Sequence, residues 1–376
     1  MKKSMKMAIA MALVTGVTAG STALTNTASA EISDNFRLEV NGVSSFFHDT
    51  DHVYYGQTRT DNTGLGKGWN NYTRVQFTYK IDKDTKLVAR LHSNYDNAGD
   101  FAANSNQYGS YFDQSFIQFD DPKSNMHYIV GKKGMTLGQS MVYNSTGNLT
   151  GVQVSYGNFW DPTCLQFTYG DAKGGNRVIS AQLTQEVAKN VSMNATWIRG
   201  ESLYNTGNQK TPKSIKRHDN FIDFGAKATM PGISIVGEWA KNNSHLTQKG
   251  IVDSADKHGW FIEAYTGPTN DFGSGLPVQK VGTHVFSVRY QDLGRYGSYV
   301  HNNTFYDGKR GIRFDYGMTI KKGMSIDFVY GRMKAKNDIT NDYYSGNTNK
   351  NFGNGRDVHK GDWSNIFVVS LNYKFR

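Results

Sequence analysis

His48, Asp49, Asp51 and His52 fall within the run HDTDH, a spacing at which imidazoles and carboxylates can hold a divalent metal or share acid and base roles. No compact set of further ligands follows, and the run stands where an outer loop begins, so a solvated loop is the better reading. With ten histidines and many aspartates, chance Ser-His and Asp-His pairs are plentiful, and no spacing singles one out for hydrolysis. GLGKGW from Gly64 lacks the strand-loop-helix setting of a phosphate loop and reads as a flexible outer loop. Cys164, the only cysteine, follows Asp161-Pro162 beside a short turn and is assigned no role. The chain therefore forms no disulfide within itself. No catalytic residue, cofactor or metal is expected.

The charges that form a pattern are basic: Arg37, Arg74, Lys86 and Arg90, with Glu39 as local opposition. They share a face only if strands carry them. Period-2 alternation of apolar and polar residues recurs along the whole chain after Ala30, and no helical stripe interrupts it. In TRVQFTYK, Val75, Phe77 and Tyr79 oppose Arg74, Gln76, Thr78 and Lys80. The last stretch sets Phe367, Val369, Leu371, Tyr373 and Phe375 against Val368, Ser370, Asn372, Lys374 and Arg376. Phe116 and Phe261 break the pattern by falling on polar faces.

Sixteen strands are expected near residues 36–47, 69–80, 85–95, 110–119, 125–132, 149–158, 163–171, 176–186, 190–201, 218–229, 232–242, 257–265, 282–291, 309–320, 323–335 and 363–375. Long Gly/Asn-rich connections alternate with short turns such as IDKDT, DDPKSN, EVAKN, MPGI and KKG. The stretch from Tyr265 to Gly282 breaks that alternation: it is an elaborated turn, or the count is off by two. Strands of about 10 residues suit a tilted crossing of hydrocarbon. Aromatics close the apolar rows at Tyr79, Tyr156, Tyr169, Trp197, Trp239 and Tyr373, where a ring suits the headgroup region. Lipid leaves no unpaired strand edge, so such a sheet must close on itself.

The N-terminal stretch places Lys2, Lys3 and Lys6 before a short apolar run and an Ala28-Ser29-Ala30 site, which reads as a secretory signal peptide cut before Glu31. Its loss removes three Lys and no acid, taking the net charge from +10 to +7 on a barrel of residues 31–376. A charge of that size, without a basic run, speaks to association and not to fold, and nucleic acid is not an expected partner.

The passage SFIQFDDPKSNMHYIVGKKGMTLGQS is similar to the part of general porins in which two strands lead through a Gly-basic pair into the third outer loop. The chain from Glu31 to Arg376 resembles the Gram-negative general porin family by layout more than identity, and its style resembles porin-like proteins of diderm Firmicutes. The resemblance implies an all-β transmembrane barrel with loop 3 folded into the lumen. It also implies a homotrimer in the bacterial outer membrane, contacting lipid and passing small polar solutes and ions. Gly131 and Lys132 match the pair whose basic member faces the eyelet, and Met135 to Asn148 match the inserted loop, including Gln139, Tyr143 and Asn144. Arg376 after Phe375 departs from the terminal Phe of such barrels. The cell-wall-anchoring segment of some diderm Firmicutes relatives has no counterpart, so tethering by that route is not expected.

From Pro122 to Trp160 there is no Asp or Glu to oppose the basic wall of Arg37, Arg74, Lys86, Arg90 and Lys132, so a mild anion preference is expected. The alternative is that these side chains pair with acids such as Asp223, Glu238, Glu263, Asp315 and Asp327, leaving little selectivity. Two other classes stay open: a barrel hydrolase at the cell surface, and a secreted glycan-binding β-sandwich.

Overall fold

The computed structural model describes residues 35–49, 53–54, 57–58, 66–96, 109–158, 161–172, 176–206, 213–243, 257–294, 297, 308–336 and 360–376. The expected leader, residues 1–30, lies outside them, as do Asp51 and His52. The chain runs through β1 (Phe36–Asp49), β2 (Val53–Tyr54), β3 (Gln57–Thr58), β4 (Gly66–Lys80), β5 (Thr85–Asp96), β6 (Gly109–Asp121), β7 (Met126–Leu137), β8 (Tyr143–Tyr156) and β9 (Thr163–Ala172). It continues through β10 (Asn176–Ala188), β11 (Val191–Thr206), β12 (Lys213–Met230), β13 (Ile233–Asn242), β14 (His258–Thr266), β15 (His284–Leu293), β16 (Lys309–Lys321), β17 (Met324–Ala335) and β18 (Trp363–Phe375).

β1 and β4 to β18 close into one antiparallel barrel of sixteen strands, while β2 and β3 pair as a separate ribbon. Each barrel strand bonds to its neighbours in the chain, and β18 returns to β1 in the register Val40 to Phe375 and His48 to Phe367. The closed barrel excludes the sandwich. All sixteen expected strands are present, and the long Tyr265 to Gly282 stretch is an elaborated turn that leaves the count intact. β4 begins at Gly66, inside the segment read as a flexible loop. β7 and β8 run on to Leu137 and from Tyr143, so the stretch expected as a loop from Met135 to Asn148 is largely strand, with Met135 paired to Ser145 and Leu137 to Tyr143.

One face of each strand from β4 to β18 carries large exposed apolar side chains, such as Phe167, Tyr169, Leu183, Trp197, Ile222, Phe224, Trp239 and Phe328. This is the outer row. The alternate positions are polar and enclosed: Gln166, Gln182, Asn194, Asp223, Glu238, Glu263, Asp315 and Asp327. Exterior apolar and interior polar rows, repeated on sixteen strands, are the pattern of a barrel that stands in lipid around a polar interior. The outer row is interrupted on β1, β4 and β18, where Ser44 Oγ donates to Asn71 Oδ1 at 2.5 Å and Tyr373 Oη lies 2.5 Å from Thr73 Oγ1.

Short turns join the strands at the end where the chain enters β1, with the exception of the long connection between Thr266 and His284. Asp82 Oδ1 accepts the Asp84 N–H at 2.8 Å in one of the short turns. The other long connections lie at the opposite end, which fits the short-turn, long-loop asymmetry of outer-membrane barrels.

Candidate functional site

The inner row of β1, β4, β5 and β6 brings the expected basic residues together. Register sets Arg37, Thr78 and Val88 in one inner tier, Glu39, Gln76 and Arg90 in the next, and Asn41, Arg74 and His92 in a third. Lys86 shares the row of Val88 and Arg90. The bonding in this wall is dense: Arg90 Nε donates to Asp113 Oδ1 at 2.8 Å and its Nη2 to Oδ2 at 2.7 Å. Arg74 Nε donates to His92 Nδ1 at 2.9 Å, and His92 Nδ1 lies 3.2 Å from Asp113 Oδ2. Tyr72 and Tyr111 stack on the two sides of His92, at centroid distances of 5.4 and 5.2 Å.

Asp113 is absent from the set that the sequence singles out. The pairing of β5 with β6 slips between Arg90 and Leu91, and the extra residue on β6 is Asp113. A β-bulge re-aims a side chain by breaking the period of two. That slip turns a carboxylate onto the basic wall at a place where strict alternation gives no warning. Glu39 supplies the second acid, in ion pairs with Lys374 at 3.6 Å and Arg376 at 2.7 Å.

Lys132 stands elsewhere. It shares the row of Tyr128 and Val130, pairs with Ser115, and donates from Nζ to the Phe112 carbonyl at 3.0 Å. That row is the outer one, so its expected place on the inner wall is corrected. Lys133 takes the inner side, its ammonium 5.6 Å from the ring centre of Phe116. Phe116 itself faces inward with Val88 and Ile129 in a small apolar cluster, which explains its place on a polar face.

The β7–β8 hairpin engages the far wall. Its tip, Gly138 to Val142, bonds to inner-row side chains of three other strands. Gly138 N–H donates to Gln182 Oε1 at 2.7 Å on β10, and Gln139 Nε2 to Asn194 Oδ1 at 2.7 Å on β11. Glu238 on β13 accepts two backbone donors, Met141 N–H at 2.8 Å and Val142 N–H at 3.1 Å. Gly138 has φ +65° and faces the carboxylates of both Glu238 and Asp223, so any side chain there collides with them.

Of the residues expected along this segment, Met135 and Tyr143 are buried, in one apolar cluster with Leu137, Val142, Val178, Ile198, Phe221, Phe261 and Met333. Asn144 is half-buried and pairs with Thr136, while the Asn148 side chain lies outside the described residues. Burial of a side chain such as Leu137 stabilises by about 1.5–3 kcal/mol. Sequence reading finds the segment but not its apolar seat, because the partners lie on distant strands, from Val178 on β10 to Val368 on β18.

The remaining wall carries its own pairs. Arg289 donates to Glu263 Oε2 at 2.8 and 2.6 Å, and Arg313 Nε to Asp315 Oδ1 at 2.7 Å. Phe261, the second residue on an unexpected face, lies under the Arg289 guanidinium at 4.0 Å. Asp327 is bonded by Asn372. The acids considered as partners for the basic wall are thus engaged locally: Glu263 and Asp315 with arginines of their own wall, Glu238 with the hairpin.

His48 sits in the outer row opposite Phe367. Among the described residues no group of three or more His, Cys, Asp or Glu is placed to hold a metal. Cys164 is buried at the foot of β9, with Sγ 3.6 Å from the Gly157 carbonyl.

No protein-family model matches the chain, and no curated protein matches it. Solved structures do. OprB of Pseudomonas putida at high pH is 8% identical, with a TM-score of 0.56 over 91% of this chain and 94% of that one. In-vitro folded OmpT, an outer membrane protein of Vibrio cholerae in its trimer form, is 10% identical, with a TM-score of 0.55 over 91% and 100%. The anion-selective porin from Comamonas acidovorans is 11% identical, with a TM-score of 0.54 over 90% and 99%. At such identities the likeness is one of fold: the closed sixteen-strand barrel of outer-membrane proteins.

Proposed function

We propose that this chain is a porin of the bacterial outer membrane, a passive channel for small hydrophilic solutes and ions, made with a leader of residues 1–30 that is removed. The observation that carries the reading is a barrel apolar outside and polar inside, with a hairpin bonded to its inner wall. The β7–β8 hairpin is the constriction element, standing in the lumen and narrowing the path toward β1, β4, β5 and β6. The likeness to general porins rests on layout and on the SFIQFDDPKSNMHYIVGKKGMTLGQS passage, and the kinship with porin-like proteins of diderm Firmicutes on style alone.

Arg37, Arg74, Lys86, Arg90 and Lys133 line the path, with Asp113 and Glu39 offsetting part of their charge. The preference for anions is therefore mild. Solutes pass by size and charge, without a catalytic step.

The molecule is a homotrimer in this reading. The polar side chains of Ser44, Asn71 and Thr73 break the outer row, and lipid supplies no partners for such groups. A second copy against β1 and β4 covers them.

Single-channel recording of the detergent-extracted, refolded protein in a planar bilayer tests the proposal. Large steps, in threes for a trimer, with a reversal potential favouring anions in a salt gradient are the expected result. Absence of steps from folded, inserted protein, together with an activity on lipid or peptide lost on replacing His48 or His52, would establish the barrel hydrolase instead.

A further inference from the structure

Among the described turns, the connection between β14 and β15 is the only long one at its end of the barrel. It does not hang clear of the wall. Asn270 Nδ2 donates to Glu263 Oε1 at 3.4 Å, Ser325 Oγ donates to the Phe272 carbonyl at 3.5 Å, and Thr319 Oγ1 donates to the Leu276 carbonyl at 2.8 Å. Glu263, Thr319 and Ser325 all belong to inner rows, on β14, β16 and β17.

Apolar contact follows the same course. Leu276 is fully buried, and a Cβ placed on Gly317 would stand 2.5 Å from Phe272 Cδ1 and 2.6 Å from Leu276 Cδ2. Gly317, an inner-row residue, is thus the floor on which both side chains rest. Between it and the end of β16 at Lys321 lies about 13 Å of strand at the usual rise. The segment reaches that far past the rim.

Its own fold is braced as well. Asp271 accepts the backbone N–H of Ser274 at 2.8 Å and the Ser274 hydroxyl, and its carbonyl accepts Leu276 N–H at 2.8 Å and Gly275 N–H at 3.1 Å. Gln279 Nε2 donates to the Gly275 carbonyl at 3.0 Å. A turn needed only to reverse the chain is made here by a pair of residues, as at Gly232 and Gly323. A braced segment with an apolar seat inside the wall has another use.

We propose that residues 267–283 form a second constriction at the short-turn mouth of the channel, seated by Phe272 and Leu276 on Gly317 and in series with the β7–β8 hairpin. The inference rests on the channel reading for its consequence, but the seating can be tested without it. Solutes that clear the hairpin then meet a second narrowing on the same side as β14 to β17, and the path is confined to the opposite wall along its length.

Two changes test this. The first deletes residues 268–281, joining Gly267 to Gly282; the second is Gly317→Val in the full-length chain, which fills the space under Phe272 and Leu276. Both are checked for barrel formation by heat-modifiable migration. Each is expected to raise single-channel conductance about twofold, since two narrowings in series become one. In a Cys164→Ser background, Ser325→Cys is expected to resist a small charged thiol reagent in the full-length chain and to react in the shortened one.

Unchanged conductance of the shortened chain beside a conducting parent overturns the proposal, as does equal labelling of Ser325→Cys in both. If the parent passes no current but the labelling pattern appears, the seated segment stands and the channel reading falls. If the parent conducts and labelling is equal, the reverse holds.

Discussion

The two walls of the barrel start from the same alternation and end in different states. On β1 and β4 the inner side chains Arg37, Glu39, Asn41, Arg74, Gln76 and Thr78 are exposed or half-buried. On β10 to β17 most of the corresponding positions, from Ser180 and Gln182 to Ser325 and Asp327, are buried, with Arg289 and Arg313 half-buried. What separates them is cover. The hairpin tip and the β14–β15 connection both lie against the second wall, and apolar residues such as Val178, Ile198 and Phe261 appear on its inner row to receive them. Both inner rows hold charge, but the row left to water keeps it accessible, whereas the row given a partner buries its carboxylates in hydrogen bonds beside apolar residues.

The sharpest way to break that contrast is Tyr143→Ala, which empties a fully buried site under the hairpin. Large-to-small changes of this kind cost about 3–5 kcal/mol, so the hairpin should lose its seat, with protease cleavage near Ser140 as the readout. Glu238→Ala comes next, because it leaves the Met141 and Val142 N–H groups without their acceptor. At about 1–3 kcal/mol for each stranded donor, the expected result is a noisy, larger conductance, with Glu238→Gln showing a smaller effect.

On the proposed channel reading, changes in the open wall are expected to alter selectivity and not the stability of the hairpin. Asp113→Asn removes the carboxylate between Arg74 and Arg90 and should move the reversal potential further toward anions. The smallest effect compares neighbours: Lys133→Gln should weaken the anion preference, whereas Lys132→Gln should leave it unchanged. Equal shifts from the two would mean that the rows of β7 are misassigned.

That last pair shows how much is legible in the chain. The strands can be read because lipid outside and water inside impose a period of two on every crossing, and TRVQFTYK and the final stretch carry it without error. By that same count Tyr128 and Val130 put Lys132 outside; the likeness to a porin Gly-basic pair points it inward, and the local alternation is what the fold obeys. Asp113 is hidden for the opposite reason, since a bulge suspends the period. The inward Phe116 and Phe261 look like exceptions because the groups that cover them come from distant parts of the chain. A local pattern tells which side of the sheet a residue takes, but not what meets it there.

The meeting of β1 with β18 carries a consequence for how the molecule is made. Every other seam joins strands adjacent in the barrel sequence and can form as a local hairpin, whereas this one belongs to a join that brings Thr73 to within 2.5 Å of the hydroxyl of Tyr373, 300 residues away. Closing a loop costs about 0.6 kcal/mol more for each doubling of its length, so this join costs about 4 kcal/mol beyond a hairpin with a turn of about four residues, before any bond is gained. Such long-range pairing slows folding. The cylinder is therefore expected to exist first as a growing ribbon whose earliest strand waits for its latest, and a chain interrupted shortly before Trp363 would keep most of its hairpins while remaining an open sheet with two bare edges.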